Sequence, residues 1–310
     1  MRAVRPSNLV VPGLWTGLVA FVAALAVGRD AGAGAGVAVG VGVWVLLLAV
    51  AARAPIARWR AARAPFPDPW RRWLREHVPV YAQAPDADRA RFERDVRLTI
   101  AGLRFEGAGG AEPTESLRLA VGAGAALLLH GHPDWDLPME RTILFVPDTF
   151  DEAYGDEEAG IYDGMVHPQG PVVLSVRATL DGWARDDGQN VVLHELAHLF
   201  DMDGLGADGV PVFLDPRSAE AWTQLLRDEM RRARMGRSVL RSYAASAPAE
   251  LFAVATEQFF ERPARLRNRH PELHAALVAF YNVDPPDEAQ HDAEESFMAR
   301  RWDAPPEAGG

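Results

Sequence analysis

The hydrophobic pattern of the chain begins without a period. Leu9 to Gly28 is a nearly unbroken apolar run, Arg29 and Asp30 interrupt it, and Ala31 to Ala52 is a second run. Each has about the 20 residues that a helix needs to cross a bilayer core. Gly32, Gly36 and Gly40 recur every fourth residue, a small-residue face on which two helices approach closely. The pattern predicts a membrane hairpin within residues 1–60. Arg2 and Arg5, with the small-residue stretch around Ala24-Leu25-Ala26, also suit a cleaved leader, but a second spanning run directly behind disfavours cleavage. Arginines flank the hairpin at both ends (Arg2 and Arg5; Arg53, Arg58, Arg60 and Arg63), which predicts that both termini lie on the cytoplasmic side.

From residue 61 the pattern becomes periodic. The stretch "RAPFPDPWRRWLREHVPVY" reads either as an amphipathic helix at a membrane surface or as the first helix of the following domain. Asp86 to Phe105 carries apolar residues at helical spacing among many charges. The segment after Thr114, "ESLRLAVGAGAALLL", predicts a buried helix capped near that threonine, too short for a third span. "RTILFVP" and "GPVVLSV" are short, β-branched and bounded by Pro or Gly, and predict strands. The acidic, glycine-rich 148–164 between them reads as a loop or hairpin that could cover a cleft. Four helices follow, around 189–202, 217–235, 248–261 and 271–282. The layout is α+β, strands before helices. It divides into the hairpin (1–60), one folded domain (61–285) and a loosely ordered tail (286–310) rich in Pro, Asp and Glu.

Composition narrows the chemistry. The 310 residues contain no cysteine, so disulfides and thiolate sites are excluded, and any metal must be held by His and carboxylate. A net charge of −11 argues against a nucleic-acid partner, which needs a basic face. All positive side chains are Arg, and with abundant Ala, Gly and Pro this is the usage of a GC-rich bacterial genome. The expected location is therefore the bacterial inner membrane, with the folded domain facing the cytoplasm.

One stretch carries reactive side chains, "NVVLHELAHLFDMDG" at 190–204. Residues four apart share a helix face, so His194 and His198 can offer imidazole nitrogens to one Zn²⁺, with Glu195 beside them as general base. The other positions are apolar, and a buried polar stripe without a function would be expensive. A catalytic zinc wants three protein ligands and an open position. Asp201, a turn beyond His198, suits orienting a histidine better than ligation. The remaining histidines (His77, His130, His132, His167, His270, His274, His291) read as surface or loop residues. In "SYAASAPAELFAVATEQFFERP", Pro248 suits a first helical turn and places Glu250 near the helix N-terminus. Glu257 lies two turns on along the same face, as a rival ligand or a partner behind one. Spacing leaves Glu250 and Glu257 even.

"NVVLHELAHLFDMDG", "SYAASAPAELFAVATEQFFERPARL" and "HPELHAALVAFYNVDP", in this order, resemble the MtfA-type (Mlc titration factor A) zinc metallopeptidases, relatives of the anthrax lethal factor catalytic domain. The likeness spans roughly residues 70 to 285. It implies a zincin-like α+β fold, peptide-bond hydrolysis, one Zn²⁺ held by His194, His198 and Glu250, and Glu195 as base. It also implies that Tyr243 hydrogen-bonds the oxyanion of the tetrahedral intermediate. Soluble members of the family lack the hairpin, and the strand usually reads "VVLSW" where this chain has Val176. In HExxH peptidases an edge strand there pairs with substrate backbone, so that exchange bears on substrate preference. The expected partners are a peptide or protein substrate and, through the hairpin, the bilayer. The competing reading is a peptidase fold used as a binding module, capturing a protein such as a transcriptional regulator at the membrane.

Overall fold

A glycine makes the first turn of the chain. In the computed structural model, which describes residues 7–138, 142–148, 150–151, 161–166, 170–185, 187–202 and 208–287, Gly32 sits at φ 87° between α1 (Ser7–Ala31) and α2 (Ala33–Ala51). Positive φ is strained for residues with a Cβ, so this position belongs to the turn rather than to the helix–helix face. Gly36 and Gly40 are buried. A Cβ on Gly40 would stand 2.7 Å from that of Ala24 and 3.1 Å from the Ala20 carbonyl oxygen. The expected small-residue packing thus rests on two of the three glycines. Among the described residues one helix, Ala33–Ala51, is long and apolar enough to cross a membrane, and Trp15–Val27 is a shorter apolar stretch. α3 (Arg53–Arg63) completes this unit, which runs to Pro65; its Ile56 and Trp59 are exposed.

The second unit, from Phe66, is mixed α and β, mostly helical with a small sheet. α4 (Asp68–His77) buries Trp70, Trp73 and Leu74, which settles that stretch as the first helix of this unit. α5 (Pro79–Gln83) leads into α6 (Asp86–Gly102). α6 packs on α7 (Glu115–Leu128), where Thr114 Oγ1 accepts from the Leu117 amide at 3.4 Å as the expected N-cap. The sheet runs β1 (Arg104–Gly107), β2 (Thr142–Val146), β6 (Val172–Ser175), β5 (Gly164–Val166). The first two pairings are parallel and the last is antiparallel. β3 (Phe150–Asp151) and β4 (Ile161–Tyr162) form a separate antiparallel pair within the acidic 148–164. Ile143, Phe145, Val172 and Leu174 alternate inward and are fully buried.

Two expectations about this sheet change. β1 was not legible as a strand. β6 is not an edge, since it pairs with β2 on one side and β5 on the other; the edge beside the site is β5. Val176 is no strand residue: Ser175 caps α8 (Val176–Ala184), its Oγ accepting from the Ala178 amide at 3.1 Å.

α9 (Val191–Asp201), α10 (Ala219–Arg234), a short 3₁₀ turn (Ser242–Ala245), α11 (Pro248–Glu261), α12 (Pro263–Arg269) and α13 (Pro271–Tyr281) follow. α9 lies in the centre, packed against α7, α11 and the β5–β6 end of the sheet. Gly124 on α7 permits the contact: a Cβ there would stand 2.7 Å from Val192 Cγ1. His130, His270 and His274, expected at the surface, are buried. His270 is structural, accepting from the Val239 amide through Nε2 and facing Glu229 Oε2 through Nδ1 at 2.5 Å. Residues 288–310, with His167, His291 and most of 149–160, lie outside the described residues.

Candidate metal centre

The helix that carries the histidines is capped by the residue just ahead of it. Asn190 Oδ1 accepts from the amides of Val192 and Leu193 at 3.1 and 3.2 Å, and its Nδ2 donates to the Gly182 carbonyl. This anchors the first turn of α9 and fixes the direction in which His194 and His198 leave it. α11 runs alongside and starts at Pro248, so Glu250 leaves its first turn toward the same place.

The structure brings His194, His198 and Glu250 together, with one ligand atom from each inside 4.8 Å of the others. His194 Nε2 lies 3.1 Å from Glu250 Oε2 and 3.3 Å from His198 Nε2, and His198 Nε2 lies 3.6 Å from Glu250 Oε1. Ligands about 2.0–2.1 Å from a tetrahedral ion stand about 3.3 Å apart. The three ligand atoms therefore already stand at the spacing that one bound cation would impose on them. Charge points the same way. Glu195, Glu250 and Glu257 bring three carboxylates to the cluster against one guanidinium, Arg241, a deficit that a divalent ion fills. The residues fit a metal.

Protonation reflects the same deficit. Burial works against a charged His194, but Glu257, Glu250 and Glu195 around it outweigh burial and push its pKa up to about 10. Burial would raise Glu250; the hydrogen bonds from His194 and His198 hold it well below the usual carboxylate range. Glu195 is raised, because burial dominates over the two imidazoles. A buried, raised carboxylate is the more basic one.

Glu257 takes the other side of His194. Its Oε1 accepts from Nδ1 at 2.8 Å, and its Oε2 accepts from the Asn190 amide at 2.7 Å. A carboxylate behind a metal-facing histidine fixes the ring and its tautomer. The two glutamates that spacing left even are separated by which ring nitrogen each meets. Asp201 makes no hydrogen bond to a site histidine among the described residues. His198 Nδ1 is buried with no partner among the described residues, and so is Asp201 Oδ2; Oδ1 accepts from the Asp208 amide instead.

Sequence reasoning missed Arg241, Gly164 and Asn190. Arg241 Nη2 donates to Glu257 Oε1, and Nη1 donates to Gln189 Oε1 at 3.3 Å. Gly164 on β5 lies directly over Glu195: a Cβ there would meet Glu195 Oε1 at 2.5 Å. Asn190 was legible, being a cap-forming type just ahead of an apolar helix; the other two leave no signal in a chain this rich in Arg and Gly. Tyr243 is exposed, its ring 6.2 Å from that of His194. With Arg241, Glu195 and Gly164 it lines a cleft of about 570 Å³ beside the cluster.

Comparison with known proteins places this arrangement. The profile of the glucose-regulated metallo-peptidase M90 family matches residues 53–282, covering both helices of the centre. The chain belongs to the M90 metallo-peptidase family. An uncharacterized protein of Synechocystis sp. is 30% identical over 241 residues, 71% of this chain and 86% of its own length. Mlc titration factor A of Edwardsiella ictaluri is 38% identical over 133 residues, 39% of this chain and 49% of that protein. The Yersinia enterocolitica protein of the same name is 33% identical over 159 residues, 46% and 59% of the two chains. The chain thus spans about half to three-fifths of the titration factors it matches. M90 membership supports a metallopeptidase and implies a divalent metal. The resemblance to MtfA-type peptidases is shown.

Proposed function

We propose that the chain is a membrane-anchored zinc peptidase that hydrolyses peptide bonds in the cytoplasm. The observation that carries this is the convergence of His194, His198 and Glu250 beside the buried Glu195. His194, His198 and Glu250 would hold a Zn²⁺, which would supply Lewis acidity toward a carbonyl and a water. Glu195, buried beside the three ligands, takes a proton from the attacking water and passes it to the leaving amine. Tyr243, exposed in the cleft, donates its phenolic hydrogen to the developing oxyanion. Glu257 keeps the Nδ1 proton of His194 in place, so that Nε2 stays free to ligate.

The substrate adds to the sheet at β5 rather than at β6, whose two sides are taken. Gly164 brings that edge over Glu195 at a distance only glycine allows. The apolar Ala33–Ala51 supports the anchor, and the arginines flanking the hairpin support its orientation.

A second reading draws on the relatives' name: a titration factor acts by binding, and this fold would then capture a regulator protein at the membrane. One experiment separates the two. The purified chain is incubated with short peptides, with and without a chelator. Chelator-sensitive cleavage that Glu195→Gln abolishes supports the peptidase; full activity in Glu195→Gln overturns its mechanism.

A further inference from the structure

Arg241 is held more firmly than its place between two helices requires. Glu257 on α11 fixes its Nη2 and Gln189, just ahead of α9, fixes its Nη1, so the guanidinium plane is set from two elements. Its side chain is still 35% exposed, and it opens onto the cleft that holds Glu195 and Tyr243. A guanidinium carries five N–H donors. Two meet protein acceptors, and Nε is buried without an acceptor among the described residues. One N–H on Nη1 is therefore left for the cleft, the second hydrogen of Nη2 falling beside His194. Nη2 lies 3.1 Å from His194 Nδ1, only the width of one imidazole from the metal-facing Nε2.

We propose that Arg241 is a substrate-holding residue, donating to a main-chain carbonyl oxygen of the bound peptide next to the scissile bond. The inference rests on the peptidase reading and adds a contact to it. Charge selects the acceptor. Glu257 already balances the guanidinium, and in the same cleft Asp148, Asp163, Asp181 and Asp187 outnumber Arg177 and Arg185. An incoming acidic side chain would meet no net positive charge, whereas a neutral carbonyl needs only the donor. Held by two elements, the fork costs little further ordering when the peptide arrives.

The test uses the full chain in detergent with zinc bound. Peptide affinity is measured by calorimetry in Glu195→Gln, which binds without turnover, alone and combined with Arg241→Gln or Arg241→Lys. A hydrogen bond from a charged donor corresponds to roughly a 10- to 100-fold loss of affinity when removed. Arg241→Gln is expected to weaken peptide binding by that factor and, with Glu195 intact, to raise KM more than it lowers kcat. Arg241→Lys keeps a charge beside Glu257 but not the fork. It is expected to keep one zinc per chain and the wild-type melting temperature, yet still lose about tenfold in peptide affinity. Unchanged Kd and KM in both variants, with the wild type cleaving normally, overturns this proposal alone. So does loss of zinc or of folding in Arg241→Lys that accounts for the whole effect. A wild type that cleaves no peptide, with a Glu195→Gln protein that binds none, overturns the peptidase reading as well.

Discussion

Glu195, Glu250 and Glu257 are chemically one residue type put to three uses by their surroundings. Glu250 faces the Nε2 side of His194 and Glu257 its Nδ1 side. Glu250→Ala is therefore expected to strip zinc from the purified chain, read by elemental analysis, while Glu195→Gln keeps one zinc per chain and loses about 10²–10⁴ in kcat. Gly164→Ala places a methyl 2.5 Å from Glu195 Oε1 and 2.7 Å from Val191 Cγ2. The fit allows no such atom, and overpacking of this kind costs about 1–3 kcal/mol. A lower melting temperature together with a fall in activity is the expected result. Asp201 bears on pH instead. Burial pushes its pKa up to about 6, with the Gly209 amide opposing and Asp208 adding to the rise. A folded pKa above the unfolded value means that its contribution is fully present below about pH 4 and lost as pH rises through about 6. Asp201→Asn is expected to flatten that part of the stability profile and to stabilise the fold at pH 7 by about 3 kcal/mol, measured by denaturant titration across pH.

The elements that build the site meet through small residues. α7 lies against α9 because Gly124 leaves room for Val192 and Leu196, and a Cβ there would stand 2.7 Å from Val192 Cγ1. Gly124→Val is expected to push α9 off α7, lowering both thermal stability and zinc affinity, since the same helix carries both histidines. Chelator competition on the variant checks the second effect. In the sheet, the antiparallel β5 is three residues long and closes the strand order beside the centre. Its shortness explains why the pattern did not reveal it: three residues show no alternation. β1 escaped for a similar reason, its four residues being mostly exposed.

Charge divides the whole molecule. Residues 1–65 hold seven Arg and one Asp, a net +6, which leaves −17 for the remainder of a chain totalling −11. A basic, apolar end suits an anionic membrane surface, and an acidic body is repelled from it. The full chain is expected to sediment with membranes and to resist extraction by high salt. Residues 66–310 expressed alone are expected to remain in the supernatant with zinc bound. Fractionation followed by metal analysis checks both outcomes.

Spacing within a single helix is a local property, so His194, Glu195 and His198 were legible as a unit, as were the apolar runs, the Thr114 cap and the α+β character. The helical reading of 248–261 was equally local, and it put Glu250 and Glu257 on one face without ranking them. Ranking required the distance between α9 and α11, which packing sets and periodicity does not encode. Likewise the edge identity of β5, the burial of His270 beside Glu229 and the aim of Arg241 at Glu257 depend on contacts between residues far apart in the chain. Residue type and spacing prescribe which groups one element presents; only the folded chain decides which of them meet.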